Sequence, residues 1–246
     1  MLILWCLILV CAISVKCQVN QDITLDFLQT AILHGYQPEE HFVTTSDGYI
    51  LRLFRISHGL NDNYQEGRRA VLIQHGLIEL SDVFIIRGTM LSPGFYLANN
   101  GYDVWFSNSR GCRYSRNHTT LDPNRDPEFW DFSFPDLLPD HKANIEFILN
   151  HTGLDSISLW GYSGGASSIF TGLSLDNEWF IGRVNLYLSI EPLLIVRNIF
   201  GLSRIGFNSS LPWELLRRLR IYEAPLPLDA VSRNTQTIIC QMFEIL

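Results

Sequence analysis

The run Gly161-Tyr162-Ser163-Gly164-Gly165 constrains this chain more than any other feature. It follows the apolar stretch Ile157-Ser158-Leu159-Trp160 and precedes residues 166–175, which read as a helix. A strand-to-helix turn this tight leaves no room for side chains beside the serine, so glycines flank it. The strained turn lifts Oγ clear of the backbone, where it can act as a nucleophile. The helix that follows brings backbone N–H groups close to the reacting oxygen. Ser163 is therefore the candidate nucleophile, and the Gly164 N–H is a candidate oxyanion donor. The competing reading is a glycine-rich turn that only packs a helix close to a sheet. A phosphate loop is a weaker rival, because the Gly-Lys-Ser/Thr ending is missing.

Patterning around this motif predicts alternating strands and helices. Residues 23–33 have helical spacing. Residues 41–45 and 49–56 read as strands joined by the turn Ser46-Asp47-Gly48. Residues 61–69 form a polar loop. Residues 70–74 are a short, continuously apolar run, the pattern of a parallel strand buried on both faces. Residues 95–99 end a helix at Gly101. Residues 103–106 are a strand, 110–134 a loop-rich stretch, 141–149 a helix and 184–190 a further strand. This order implies an α/β fold with a mostly parallel sheet and flanking helices.

The chain has 246 residues, enough for one sizeable core. A net charge of −7 argues against a nucleic-acid partner. The apolar run 2–15 is too short to span a bilayer, and it ends in small and polar residues before Cys17. It reads as a signal peptide over residues 1–17, the alternative being a buried or anchoring N-terminal helix. No other stretch is long and apolar enough for a transmembrane segment. Three sequons begin at Asn117, Asn150 and Asn208, which fits a secretory glycoprotein. Cys112 and Cys240 lie beyond the leader, and their pairing is open. No His/Cys/Asp cluster has ligand spacing, so neither a metal nor an organic cofactor is expected.

The rest of the catalytic set is sparser. His75-Gly76-Leu77 follows the 70–74 run, which makes the Leu77 N–H a second oxyanion donor. His75 itself reads as a loop-shaping residue, because the general base follows the serine in chain order in such enzymes. All seven histidines precede Ser163. Glu191 and Asp229 are candidate acids only if a histidine exists for them to orient. Residues 193–222 are apolar and dotted with arginine, the pattern of either a lid over an apolar pocket or a core-packing helix.

Over residues 34–191 the chain resembles the acid lipase family, which has the α/β-hydrolase fold. The matching segments are His34-Gly35-Tyr36 with Glu40-His41, residues 45–55, Gln74-His75-Gly76-Leu77, residues 97–110, Tyr114-Ser115-Arg116, Phe129-Trp130 with Phe132-Ser133, and the serine turn. The resemblance implies a secreted or lysosomal serine hydrolase acting on triacylglycerol or sterol esters at a lipid–water interface. It divides the chain into a leader (1–17), an incomplete hydrolase core (18–191) and a partial lid or cap (192–246). The family's elbow usually reads Gly-His-Ser-Gln-Gly, whereas Tyr162 and Gly164 stand here. The family's Asp-Leu-Pro before the elbow strand becomes Asp140-His141-Lys142. The family also has two further strands after 184–190, and its catalytic Asp and His follow the lid. This sequence ends inside the lid, so an incomplete triad, missing C-terminal strands and poor folding of residues 18–246 alone are expected. A non-catalytic lipid-binding or vestigial relative is the alternative in a different class. A serine peptidase or acyltransferase of the same fold is a third.

Overall fold

Five residues with no polar face, Ala70–Gln74, need cover on both sides, and the structure places them at the centre of a sheet. The computed structural model describes residues 25–63, 65–194 and Arg218. The expected leader, Asn208, Asp229, Cys240 and nearly all of the expected lid lie outside the described residues.

The strands are β1 (Pro38–Thr44), β2 (Ile50–Ile56), β3 (Ala70–Gln74), β4 (Asp103–Ser107), β5 (Ile157–Tyr162) and β6 (Val184–Ile190). They form one sheet in the order β1-β2-β4-β3-β5-β6. β1 pairs antiparallel with β2, and β2 antiparallel with β4. β4, β3, β5 and β6 are mutually parallel. All residues of β3 and β4 are buried, as their apolar centres require, and the polar residues at their ends are bonded: Asp103 to Arg55 and Ser107 to Gln74.

The helices are α1 (Phe27–Leu33), α2 (Gly88–Leu91), α3 (Pro93–Asn99), α4 (Leu138–Thr152), α5 (Gly164–Leu175) and α6 (Asn177–Phe180). Strand alternation sorts the core into two layers. Val71, Ile73, Val104 and Phe106 face Phe27 and Ala31 of α1 and Phe95 and Ala98 of α3. Leu72, Trp105, Ile157 and Leu159 face Ile145 and Ile148 of α4 and Ile169 of α5. The architecture is therefore helix–sheet–helix, the α/β-hydrolase arrangement the sequence predicts.

Element ends follow local chemistry. Asp26 caps α1 through a capping box with Gln29, which starts that helix later than its apolar spacing suggests. α4 begins at Leu138, three residues before the expected start, because Pro139 occupies its first turn, where the missing N–H costs nothing. It ends at Gly153, whose left-handed φ of 70° lets its N–H reach Leu149 O. The loop-rich stretch contains two 3₁₀ turns, Pro127–Trp130 and Phe134–Leu137. The short helices α2 and α6 have too few turns to carry a readable period.

Among the described residues, β6 pairs only with β5. It turns Tyr187 towards α5, where the phenol donates to Ala166 O at 2.7 Å. Its other face leaves Leu186 61% exposed and Leu188 43% exposed. Trp160, Leu186, Leu188 and Tyr102 line a cleft on that face.

Candidate active site

β5 delivers Ser163 to the C-terminal edge of the sheet, and α5 begins with the next residue. Ser163 has φ 50° and ψ −120°, a conformation L-residues rarely adopt. Two hydrogen bonds hold it there. Ser163 N–H donates to Ile190 O at 2.9 Å, and Ser163 O accepts from Ser167 N–H at 3.1 Å. Ser163 is thus fixed by the end of β6 on one side and the first turn of α5 on the other.

The flanking glycines are required by contact. A Cβ on Gly161 would lie 2.6 Å from Ala166 Cα, and one on Gly165 would lie 2.2 Å from His75 O. Both obstacles are backbone, so neither can yield cheaply. Gly165→Ala is expected to destabilise the fold by about 3 kcal/mol, the upper range for overpacking. Ala at the open Gly67 meets nothing within 4 Å, although its φ of 77° carries its own strain. Urea denaturation of the two variants would separate clash from backbone strain.

Leu77 meets Gly164 across the turn. A Cβ built on Gly164 would lie 3.0 Å from both Leu77 N and Leu77 Cβ. The two backbone N–H donors expected from the sequence are therefore neighbours beside Ser163. Glycine at 164 lets the loop after β3 approach this closely.

His75 shapes that loop. Its Nδ1–H donates to Gly76 O at 2.7 Å, and Nε2 accepts from Ser109 N–H at 3.2 Å. Both ring nitrogens are committed. Burial pushes the imidazole down to about 4, so it stays neutral. Hydrogen bonds also engage five other histidines away from Ser163: His41 with Glu39, His58 with Ser57, His118 with Asp47 O, His141 with Ser168 and His151 with Arg55. Glu191, the candidate acid, is exposed at φ 51° just after β6.

The segment Asp140-His141-Lys142 ties α4 to three other elements. Asp140 accepts from Arg110 Nε at 2.8 Å and from Arg110 Nη2 at 2.5 Å. His141 Nε2–H donates at 3.0 Å to Ser168 Oγ, which itself donates to Gly165 O at 2.8 Å. Lys142 reaches Asp176 at 2.5 Å. Arg110 continues to Asp47 in the β1–β2 turn, at 2.6 Å and 3.0 Å, and lies 3.9 Å from the Tyr49 ring centroid. Sequence reading passed over this network because its members come from four separate segments.

Buried titratable groups make stability depend on pH in a defined direction. Burial also pushes His141 down to about 4. Between about pH 6.5 and 4 the unfolded chain protonates both buried histidines while the fold does not, so their contribution is lost as pH falls, about 3 kcal/mol each. Asp82 acts oppositely. Burial lifts its carboxyl to about 6, although Tyr114 OH donates to it at 2.9 Å. Its contribution is present at low pH and lost as pH rises through about 6, again roughly 3 kcal/mol. The net expectation is a melting temperature that falls from pH 6.5 to pH 4. His141→Gln should flatten that decline and Asp82→Asn should steepen it, which thermal melts across pH would read.

Glu39, His41 and His151 bring ligand atoms within 4.8 Å of one another, a grouping that spacing along the chain does not reveal. Arg55 already sits among them. Its Nη1 lies 3.0 Å from Glu39 Oε2 and 3.2 Å from His151 Nε2, and its other nitrogens grip Asp103 at 2.8 Å and 2.9 Å. A divalent ion there would face a buried guanidinium at contact distance, so the group is an arginine-centred network rather than a metal site.

Residues 27–88 match the family model of a partial alpha/beta-hydrolase lipase region, and residues 69–174 match the alpha/beta hydrolase fold. The chain is 36% identical over 208 residues to the lysosomal acid lipase/cholesteryl ester hydrolase of Homo sapiens, covering 84% of this chain and 51% of that protein. It is 34% identical over 255 residues to the gastric triacylglycerol lipase of Bos taurus, covering 96% of this chain and 64% of that protein. The chain belongs to the acid lipase family. To Lipase 1 of Drosophila melanogaster this acid lipase relative is 41% identical over 158 residues, 64% of this chain and 34% of that protein. It therefore spans between about a third and two thirds of these relatives' length. Among solved structures, naproxen esterase from Bacillus subtilis aligns with a TM-score of 0.50 at 12% identity, covering 85% of this chain and 63% of that one. At that identity the likeness speaks for the fold alone.

Proposed function

We propose that this acid lipase family member carries the nucleophile and oxyanion hole of a serine hydrolase that cleaves lipid esters, triacylglycerol or sterol ester. The observation that carries the reading is the meeting of Ser163, at φ 50°, with the backbones of Leu77 and Gly164. In the proposed reaction Ser163 Oγ attacks the ester carbonyl carbon and passes its proton to a general base. The carbonyl oxygen becomes an oxyanion held by the Leu77 and Gly164 N–H groups. The C–O bond to the alcohol then breaks, and the base returns the proton to the departing alkoxide. Water attacks the acyl-serine by the same route and frees the fatty acid.

The base is a histidine from the part of the relatives' length that this chain does not span. His41, His58, His75, His118, His141 and His151 are hydrogen-bonded to groups other than Ser163, and all seven histidines of the sequence precede it, against the order of the fold. Leu77 and Ile78 are exposed beside the elbow, as is Leu193, whose N–H donates to Ser167 Oγ at 2.8 Å. Apolar surface at this rim suits an acyl chain or a lipid interface. No helix among the described residues is long and apolar enough to cross a membrane. A leader at 1–17 and sequons at Asn117, Asn150 and Asn208 support a secreted or lysosomal glycoprotein. Asn117 and Asn150 are exposed. Relatives named lysosomal and gastric lipases agree with that location.

The engagement of the histidines favours one second reading, a lipid-binding relative without catalysis. Treating the 246-residue chain and its longest natural form with a fluorophosphonate, then locating the adduct by mass spectrometry, separates the two. Rapid labelling at Ser163 in the longest form, with hydrolysis of emulsified triacylglycerol or sterol ester, supports the hydrolase. Lipid binding by both forms without any adduct supports the binding protein. Peptide cleavage in place of ester cleavage would point to a peptidase.

A further inference from the structure

The loop that supplies Leu77 N–H contains a carboxylate that the proposed reaction does not use. Glu79 Oε2 accepts the Gly76 N–H at 3.0 Å. A Cβ on Gly76 would lie 2.7 Å from Glu79 Oε2 and 3.3 Å from Ser163 Cβ. The carboxyl and the nucleophile therefore flank the same methyl-sized space above Gly76, one residue before the oxyanion donor. This arrangement has two consequences of opposite kind. As an acceptor, Glu79 closes the 76–79 turn and fixes the direction in which the Leu77 N–H points. As an anion, it sits beside the place where negative charge develops on the substrate oxygen.

We propose that Glu79 is a positioning residue of the oxyanion loop, holding the Gly76–Leu77 turn as a hydrogen-bond acceptor and hindering oxyanion formation when ionised. The inference rests on the reading of Ser163 as a nucleophile. The groups facing Glu79 do not neutralise it. His75, in the same loop, is neutral with both nitrogens occupied. Tyr162, at the end of β5, feels the negative charges of Glu191 and Glu79, which raise its phenol. Asp82, three residues on, is held by Tyr114. Desolvation also lifts the Glu79 carboxyl above its ordinary range. A protonated carboxyl still offers its carbonyl oxygen to Gly76 N–H, so protonation keeps the turn and removes the charge.

The test compares wild type, Glu79→Gln, Glu79→Asp and Glu79→Ala in the longest natural form, measuring kcat and KM for ester hydrolysis from about pH 4 to about pH 8. Taking each variant as a ratio to wild type cancels the titration of the general base. For Glu79→Gln, which keeps an acceptor without charge, the kcat ratio should start near one at acid pH and rise roughly tenfold or more as pH increases, with KM unchanged. Glu79→Asp, which keeps the charge, should show no such rise. Glu79→Ala, which removes both the acceptor and the charge, should run roughly tenfold below Glu79→Gln in kcat at every pH, because the turn is no longer held. A Gln ratio that stays flat with pH overturns the charge effect, and an Ala variant indistinguishable from Gln overturns the positioning role. Both results would leave the hydrolase reading standing if wild type turns over and Ser163 labels. A wild type that does neither overturns both.

Discussion

Ser163→Ala in the longest natural form is expected to reduce ester hydrolysis by roughly 10⁴- to 10⁶-fold, the loss seen when the nucleophile of a serine hydrolase is removed. KM should change little, because Oγ contributes to the transition state far more than to ground-state binding. The fold should survive. Alanine keeps the Cβ and takes the same φ of 50°, and the bonds to Ile190 O and from Ser167 N–H belong to the backbone. A melting temperature equal to wild type, with hydrolysis and fluorophosphonate labelling gone, is the signature expected. Residual hydrolysis near wild type would remove Ser163 from the mechanism. Ser163→Gly sharpens the point. Glycine adopts this conformation without penalty, so Ser163→Gly should stabilise the fold by about 1 kcal/mol, the relief of backbone strain less the entropy of an added glycine. A protein that becomes more stable as it loses activity would locate the strain at the catalytic turn.

Arg110→Ala is the substitution expected to damage the fold most. The Arg110 side chain is 1% exposed and its partner Asp140 is 4% exposed, while Asp47 is 42% exposed. Burial pushes the Asp140 carboxyl above its ordinary range, and Arg110 offsets only part of that rise. Removing the guanidinium strands a buried carboxylate, which costs about 3–5 kcal/mol. The Tyr49 ring loses its cation as well. The urea midpoint should fall without a change in m-value, since the surface exposed on unfolding stays the same. Arg110→Met combined with Asp140→Leu should recover much of the loss, because apolar pairs of similar volume often replace buried ion pairs at little net cost. Full additivity of the two single changes would mean the pair is not coupled, against the geometry.

These two sites differ in how much of them could be read along the chain. The elbow is local. Strand, glycines, serine and helix occupy one unbroken stretch, and each residue type there answers a steric demand set by its immediate neighbours. Residues 70–74 and 184–190 are found at the bounds the sequence predicts: burial on both faces leaves a nearly unbroken apolar run at 70–74, and Gly182 and Pro192 punctuate the ends of 184–190. Ends set by capping or by a first-turn proline, at Asp26 and Pro139, moved by a few residues from where periodicity alone put them.

By itself, then, the sequence determined the class of fold and singled out the three residues, Ser163, Gly164 and Leu77, on which the proposed reaction rests. Those features depend on spacing within one segment, or on a strand end that always lies beside the elbow in a parallel sheet. Tertiary structure decided everything that needed two distant segments to meet. It made Asp140 a partner of Arg110, filled the Glu39–His41–His151 group with Arg55, and gave His75 to Ser109. It also brought Glu79 to the space above Gly76 and pressed Leu77 against Gly164. Hydrogen bonds and ion pairs act over a few ångströms and carry no mark of their partner in the sequence, so only the packed chain reveals them.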